Sequence, residues 1–470
     1  MIFFLLLPAI IMFIISFIKS SKVHNLLYFT SFAILIPTIE LFILKKPYYI
    51  LGDYLVADKL NTYVLLVSSI VGIGVTLSLM TLRKQVNISP KSYRKFYRFF
   101  ATFWIGLIFS ILANNMGIYW IGLEFATLST VYMIKTNFTK NASREAWNYM
   151  IVGAIAISLV LFGIILIYAS AKPILGEKAM NFNLLLLHAK EIKSSFLFEI
   201  GFAITSIGMF IKMGFFPMNL WLANIERASY YPVAALFSGI LESAVIIGFF
   251  RFSEIAKVVN YNYLFTFTFI YTLFTIFIVS FLIFRAKDFI RLFSLSGIEH
   301  MALISLFWVS GGVFPALLHF GAHAFLKPAL FLSTGVLESR GKYKIAGALR
   351  GYKGKRGKFF VFLVSIFLLA IISMPPSPMF FSELYGFSGM LEIAKINKHI
   401  LAMIMAILFL LILLSIIFYK FISIYQSMKY SGEDSEKNVY ATEVFSLMLF
   451  AISLIILILP ITINYLKGIV

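Results

Sequence analysis

In the segment ALLHFGAHAFLKPALFL, His319, His323 and Lys327 recur every four residues. On a helix, at about 100° and about 1.5 Å per residue, such positions cover about 80° of arc and about 12 Å of rise, so they form one polar stripe. Imidazole titrates near neutrality and has two nitrogens, one able to accept while the other donates, as a proton relay requires. A lysine beside it can store or release a proton. Further ionisable side chains stand inside apolar runs: Glu124 in GIYWIGLEFATLSTVYMI, Lys212 in GMFIKMGFFP, Glu242 in VAALFSGILESAVIIGFF and Glu383 in MPPSPMFFSELYGF. A charge at mid-bilayer costs on the order of 2.5–3.5 kcal/mol on insertion scales, so retaining this set points to the movement of protons or cations. The alternatives are internal ion pairs that only fix helix packing, and core histidines that are simply hydrogen-bonded.

Two histidines at i and i+4 also match part of a zinc site. The HExxH glutamate is missing, however, and Lys327 is a poor companion for a bound cation, so no metal is expected. Glu299 and His300 read as lying near a helix end, and Asp288, at the cytoplasmic end of the tenth helix, as a capping or loop-pairing residue. His188 and His399 fall in loops. No P-loop, GxGxxG or GxSxG motif occurs in the strand–turn–helix context it needs, so the chain is expected to have no catalytic site of its own.

The elements that position these side chains must be membrane helices. A hydrophobic content of 61% and a mean hydropathy of +0.95 leave too little polar surface to coat a water-soluble body of 470 residues. Runs such as 2–18, 400–419 and 444–466 are long enough to cross about 30 Å of hydrocarbon. The first lacks a basic leading region and a small-residue cleavage site, so it reads as a retained helix and not a signal peptide. Cysteine is absent, which excludes disulfides and thiolate-held iron–sulfur clusters. No cofactor is expected in this chain, and any redox centre belongs to a partner. The formal charge of +20 would suit nucleic acid. Lys and Arg nevertheless cluster in short loops between apolar runs, where they act as topology signals, so the expected surroundings are a lipid bilayer and not nucleic acid.

The pattern predicts an all-α polytopic fold of about fourteen transmembrane helices, near 2–18, 26–44, 61–82, 98–114, 117–134, 146–171, 197–223, 230–250, 262–284, 291–310, 313–338, 357–389, 400–427 and 444–466. Odd-numbered connections hold most of the Lys and Arg, notably around Arg83 to Arg98 and Arg340 to Lys358. The positive-inside rule makes those loops cytoplasmic and places both termini outside the cell membrane. Proline interrupts two helices: the seventh at Pro217, beside Lys212, and the twelfth at Pro375, Pro376 and Pro378, beside Glu383. The freed carbonyls are tolerable at membrane depth only inside protein or beside a wet cavity, and matching breaks in two halves point to a transport site. Helices 4–8 then correspond to helices 9–13, and because five is odd the repeat is inverted. The division is 1–97 for helices 1–3, 98–250 for the first half-channel, 251–427 for the second, and 428–470 for the last helix.

Taken in order, Glu124, Lys212 before its proline break, PVAALFSGIL, AKDFIRLFSLSGIEHM and the HxxxHxxxK stripe resemble the antiporter-like membrane subunits of respiratory complex I, Mrp-type cation/proton antiporters and energy-converting hydrogenases. The resemblance covers nearly the whole chain. IEHM, and Pro375 and Pro376 before FSE, look most similar to the hydrogenase-4 and formate hydrogenlyase type of subunit. The resemblance implies a proton- or sodium-translocating subunit of a redox-driven complex, with a hydrophilic axis running from Glu124 and Lys212 to His319, His323, Lys327 and Glu383. When the first pair is close, Lys212 keeps its proton; when it separates, the proton moves toward Glu242 and the histidines, with Glu383 on the exit side. The implied partners are other membrane subunits and a peripheral redox module, which alone would carry iron–sulfur or nickel–iron centres. Two departures stand out: Glu242 is the best candidate near the place where the eighth helix of many relatives carries a lysine or another polar group, and NLWLANIERASYYPVAAL differs from the usual Leu-Pro-Asp-Ala-His wording. The alternatives are a stand-alone cation/proton antiporter and a structural subunit without transport.

Overall fold

The computed structural model describes residues 2–19, 30–43, 47–85, 90–135, 140–192, 196–340, 348–396, 400–430 and 439–469. Hydrocarbon offers main-chain N–H and C=O groups no partner except each other, so the apolar runs close into helices. In chain order these are α1 (Ile2–Ile15), α2 (Thr30–Ile43), α3 (Lys59–Gln85), α4 (Pro90–Leu112), α5 (Met116–Lys135), α6 (Lys140–Leu175), α7 (Phe182–Leu187), α8 (Phe196–Lys212), α9 (Leu220–Ala228) and α10 (Tyr231–Leu236). There follow α11 (Glu242–Val259), α12 (Tyr261–Phe284), α13 (Phe289–Ser310), α14 (Val313–Arg340), α15 (Gly354–Ala370), α16 (Pro378–Ile396), α17 (Ile400–Tyr430), α18 (Ala441–Leu457) and α19 (Pro460–Lys467). Among the described residues, the exception to an all-helical chain is one antiparallel hairpin, β1 (Tyr48–Ile50) with β2 (Leu55–Ala57).

Among the described residues, nine helices are long and apolar enough to cross a membrane, or ten if the bent pair α18–α19 is one span. The chain is therefore multi-pass. Shorter apolar segments, as in α1 and α2, and segments cut by proline account for the difference from the expected fourteen. Segment 197–223 divides into α8 and α9 around Pro217, and 357–389 into α15 and α16 around Pro375 and Pro376. Pro378 does not break a helix: it is the first residue of α16, where its missing N–H has no helical partner to lose. A break not expected from the sequence lies in 444–466, where the chain bends by 66° ahead of Pro460. The eighth segment also differs. One π turn over Phe237–Leu241 separates α10 from α11, and α11 runs on to Val259. The helix passes the charge of Arg251 because that guanidinium is paired with Asp58 and donates to Asn61 Oδ1 at 2.9 Å.

The described residues form two compact units. In the first (Met1–Gly72, Asn87–Ser229 and Ile240–Thr268), α6 packs along α8. Glycine permits that approach, as small residues do between membrane helices. A Cβ at Gly208 would lie 2.5 Å from the main-chain oxygen of Ala156, one at Gly201 would lie 3.0 Å from that of Gly163, and one at Gly163 would overlap Thr205. In the second unit (Ile73–Val86, Tyr230–Gly239 and Phe269–Val470), α14 is the central helix, packed by α10, α13, α16 and α18. Gly208→Leu must push α6 off α8 at a cost of about 1–3 kcal/mol. The thermal midpoint of the detergent-solubilised protein should therefore fall, while Ile155→Leu, at an exposed position, should leave it unchanged.

Candidate functional site

Among the described residues, each unit holds a cluster of buried ionisable groups that includes a lysine. In the first, Lys212 is the last residue of α8, which stops there because Gly214 takes a positive φ of 75° and Pro217 follows. The interruption is well satisfied. Phe215 N–H donates to the Phe210 oxygen at 2.8 Å, Gly214 N–H to the Ile211 oxygen at 3.0 Å, and the Trp221 indole to that same Ile211 oxygen at 3.1 Å. Lys212 is only 4% exposed. Its Nζ donates to Thr127 Oγ1 at 2.8 Å and lies 5.1 Å from the centre of the Tyr149 ring. Thr127 donates its own hydrogen to the Leu123 oxygen at 2.8 Å, so it meets the ammonium purely as an acceptor. Glu124, half-buried on α5, is near enough for its charge to act on Lys212. The ammonium nevertheless bonds the hydroxyl, and Glu124 Oε2 is buried without a hydrogen-bond partner among the described residues.

In the second unit the cluster joins α13, α14 and α16. His319 Nδ1 meets Ser382 Oγ at 2.8 Å, and its Nε2 meets His300 Nδ1 at 3.1 Å. His300 Nε2 faces Glu299 Oε2 at 3.6 Å. Ser373, in the break between α15 and α16, donates to Glu383. One nitrogen or carboxylate oxygen from each of His300, His319 and Glu383 lies within 4.8 Å of the others. Their facing nitrogens are bonded to each other and Lys327 acts on His300, so the group is arranged to pass a proton and makes a poor cage for a cation. Lys327 donates to the main-chain oxygen of Phe293. A Cβ at Gly297 would lie 3.1 Å from Lys327 Cε and 3.9 Å from His323 Nε2, so the histidine–lysine stripe packs against α13 at a glycine.

The structure thus places Glu124 with Lys212, and places His319, His323, Lys327 and Glu383 around α13. Glu242 is buried as the first residue of α11, directly after the π turn. His188 ends α7 and bonds Glu191 at 2.9 Å, while His399 lies outside the described residues. Glu299 and His300 need a correction. Asp288 caps α13 by accepting from Arg291 N–H at 2.9 Å, and the helix runs on to Ser310, so both residues lie in its middle, 1% and 2% exposed. The signal was available: GIEHMALI is apolar on both sides of the pair. Thr127, Tyr149, Ser373 and Ser382 carry no such mark, because their residue types are common in any helix.

Residues 113–413 match the family described as NADH:quinone oxidoreductase/Mrp antiporter, TM. The chain belongs to this family. As a member of the NADH:quinone oxidoreductase/Mrp antiporter family it is an antiporter-like membrane subunit, and the matched stretch contains every residue of both clusters. It is 31% identical over 395 residues to the hydrogenase-4 component F homolog of Methylacidiphilum infernorum (isolate V4), covering 81% of each protein. The fold is similar to that of a chain in the membrane-bound sulfane sulfur reductase, an archaeal respiratory membrane complex, with a TM-score of 0.85 at 20% identity over 99% of this chain and 95% of that one. A chain of the Mrp complex from Dietzia sp. DQ12-45-1b gives a TM-score of 0.82 at 14% identity, again over 99% and 95%.

Thr127→Val removes the acceptor of Lys212 with little change in volume, and an unsatisfied buried group costs about 1–3 kcal/mol. The thermal midpoint should drop in Thr127→Val and hold in Thr127→Ser. Adding Thr127→Val to Lys212→Met should cause no further drop, because the group that needed the acceptor has gone.

Proposed function

We propose that this chain is a proton- or sodium-translocating subunit of a redox-driven complex of the hydrogenase or complex I-like kind, seated in the cell membrane. The observation that carries this is Lys212: buried, at a helix break, and bonded to a hydroxyl in place of a carboxylate. A lysine locked in a tight ion pair would be a structural fixture, whereas one held by a threonine beside a half-buried glutamate has two places to face. Near Glu124 it keeps its proton; turned away, it releases the proton toward Glu242. The histidine stripe, Lys327 and Glu383 then serve as the second half-channel, with Glu383 on the exit side.

Family membership supports this role. The likeness to hydrogenase-4 component F homolog supports a complex with other membrane subunits and a peripheral redox module, in which iron–sulfur or nickel–iron centres would reside. Within the chain we assign fourteen spans, with both termini on the non-cytoplasmic side. The two half-channels, 98–250 and 251–427, are an inverted five-helix repeat. The breaks α8–α9 and α15–α16 fall at corresponding places in the two sets, which supports the repeat.

The test is redox-coupled pumping in proteoliposomes made from the purified complex. Lys212→Ala should abolish pumping while the redox reaction itself continues; pumping that survives the substitution overturns the proposal. Gentle solubilisation with mass measurement should show co-purifying redox subunits. A chain that transports alone, without them, is instead a stand-alone antiporter.

A further inference from the structure

The two helix breaks close with the same hydrogen-bonded cap. At the first, Phe215 N–H donates to the Phe210 oxygen at 2.8 Å and Gly214 N–H to the Ile211 oxygen at 3.0 Å. At the second, Met374 N–H donates to the Leu369 oxygen at 3.2 Å and Ser373 N–H to the Ala370 oxygen at 3.1 Å. Both are the paired bonds of a Schellman cap, which needs one residue in the left-handed region. Gly214 fills that place with a φ of 75°, and Ser373 fills it with a φ of 56°. Glycine enters this region freely, whereas a Cβ there crowds the following carbonyl oxygen. Among the described residues, the other non-glycine residues with positive φ are Leu51 and Asp53, both in the turn between β1 and β2. A serine standing where the equivalent cap has glycine calls for a reason, and its side chain supplies one: Ser373 Oγ donates to Glu383 Oε1 on the far side of the break. Ser377, in the same break, serves the helix instead, accepting from Phe380 N–H at 3.3 Å.

We propose that Ser373 is a positioning residue, a serine kept in a left-handed cap so that its hydroxyl fixes the Glu383 carboxyl at the break. The inference rests on the exit-side role given to Glu383 above. A hydroxyl has one hydrogen to give, and here it is committed to the carboxyl. Glycine in its place would relax the backbone and leave the carboxyl without that donor. Through this bond Glu383 is tied to the end of α15 as well as to its own helix, α16. A movement that draws the two helix ends apart breaks the bond and frees the carboxyl to turn. The strained backbone favours that opening, because a left-handed serine released from its cap recovers the cost of holding it. The two breaks therefore solve one backbone problem with different residues. At the first, the partner of Lys212 comes from another helix, at Thr127; at the second, the cap itself supplies the partner of Glu383.

The test uses the full chain reconstituted in lipid, and reads the thermal midpoint together with the infrared C=O stretch of the protonated Glu383 carboxyl, identified by its loss in Glu383→Gln. Neither reads transport, so a failure here is distinct from a failure of the Lys212→Ala experiment. Ser373→Gly and Ser373→Ala both remove the hydroxyl, but the alanine keeps a Cβ in the left-handed region. Ser373→Gly should therefore melt above Ser373→Ala, the reverse of their order inside a regular helix. In both variants the Glu383 band should shift to higher wavenumber, because a hydrogen-bond donor on a carbonyl oxygen lowers its stretch. Ser377→Ala should leave the band in place. A glycine variant no more stable than the alanine variant overturns the proposal, as does a band that stays in place in both or moves as far in Ser377→Ala.

Discussion

Hydrocarbon solvates neither charges nor peptide groups, so each ionisable side chain buried in this protein must be solvated by the protein itself. Lys212 has the Thr127 hydroxyl, the face of the Tyr149 ring and the field of Glu124; Lys327 has the main-chain oxygen of Phe293. Partners alone are not enough, because a long side chain also needs room beside a packed helix. Both lysines find it at a glycine on a facing helix, Gly153 for Lys212 and Gly297 for Lys327. The clusters exist because small residues and acceptors coincide where the lysines end.

The same constraint shapes the breaks. Interrupting a helix frees carbonyls and N–H groups, and in this depth of apolar surroundings they have to be recaptured locally. Trp221 does so for Ile211, using a side chain from beyond the break to close the gap. At the second break, Ser377 accepts from Phe380 N–H at 3.3 Å to start α16, and Ser373 spends its hydroxyl on Glu383. The break therefore does more than stop a helix: it contributes one of the partners of an ionisable group. This explains why the ionisable side chains and the prolines lie so close together in the sequence.

Apolar run length made the membrane helices legible, and proline beside charge made two of the interruptions legible. Side chains rare inside lipid, such as Lys212, Lys327 and Glu383, announced themselves by type. What was not legible was set by contacts between distant segments. The eighth segment was expected to stop at 250, whereas the helix runs on past Arg251, which pairs with Asp58, and Glu299 and His300 were expected near a helix end, whereas α13 carries them in its middle. Thr127, Tyr149 and Ser382 are ordinary residues made special by what folds against them. The π turn before Glu242 and the bend ahead of Pro460 have the same character: local sequence permits them, and packing selects them.

The two clusters differ in the kind of proton handling that their geometry allows. In the first, a single ammonium is held by a neutral hydroxyl, a weaker partner than a carboxylate. Turning toward Glu124 would exchange that hydroxyl for a carboxylate. Transfer there requires a side chain to swing. In the second, His300 and His319 are already bonded to each other at 3.1 Å, and Glu299 Oε2 stands 3.6 Å from His300 Nε2. A shift of α5 or α8 by an ångström would change the first cluster's preference, since a charge interaction and a 2.8 Å bond both depend on that spacing. The bonded histidine pair responds instead to the charge beside it, on Glu383 or Lys327. A mechanical input and an electrostatic one can thus act within one polypeptide, each on the cluster built to feel it.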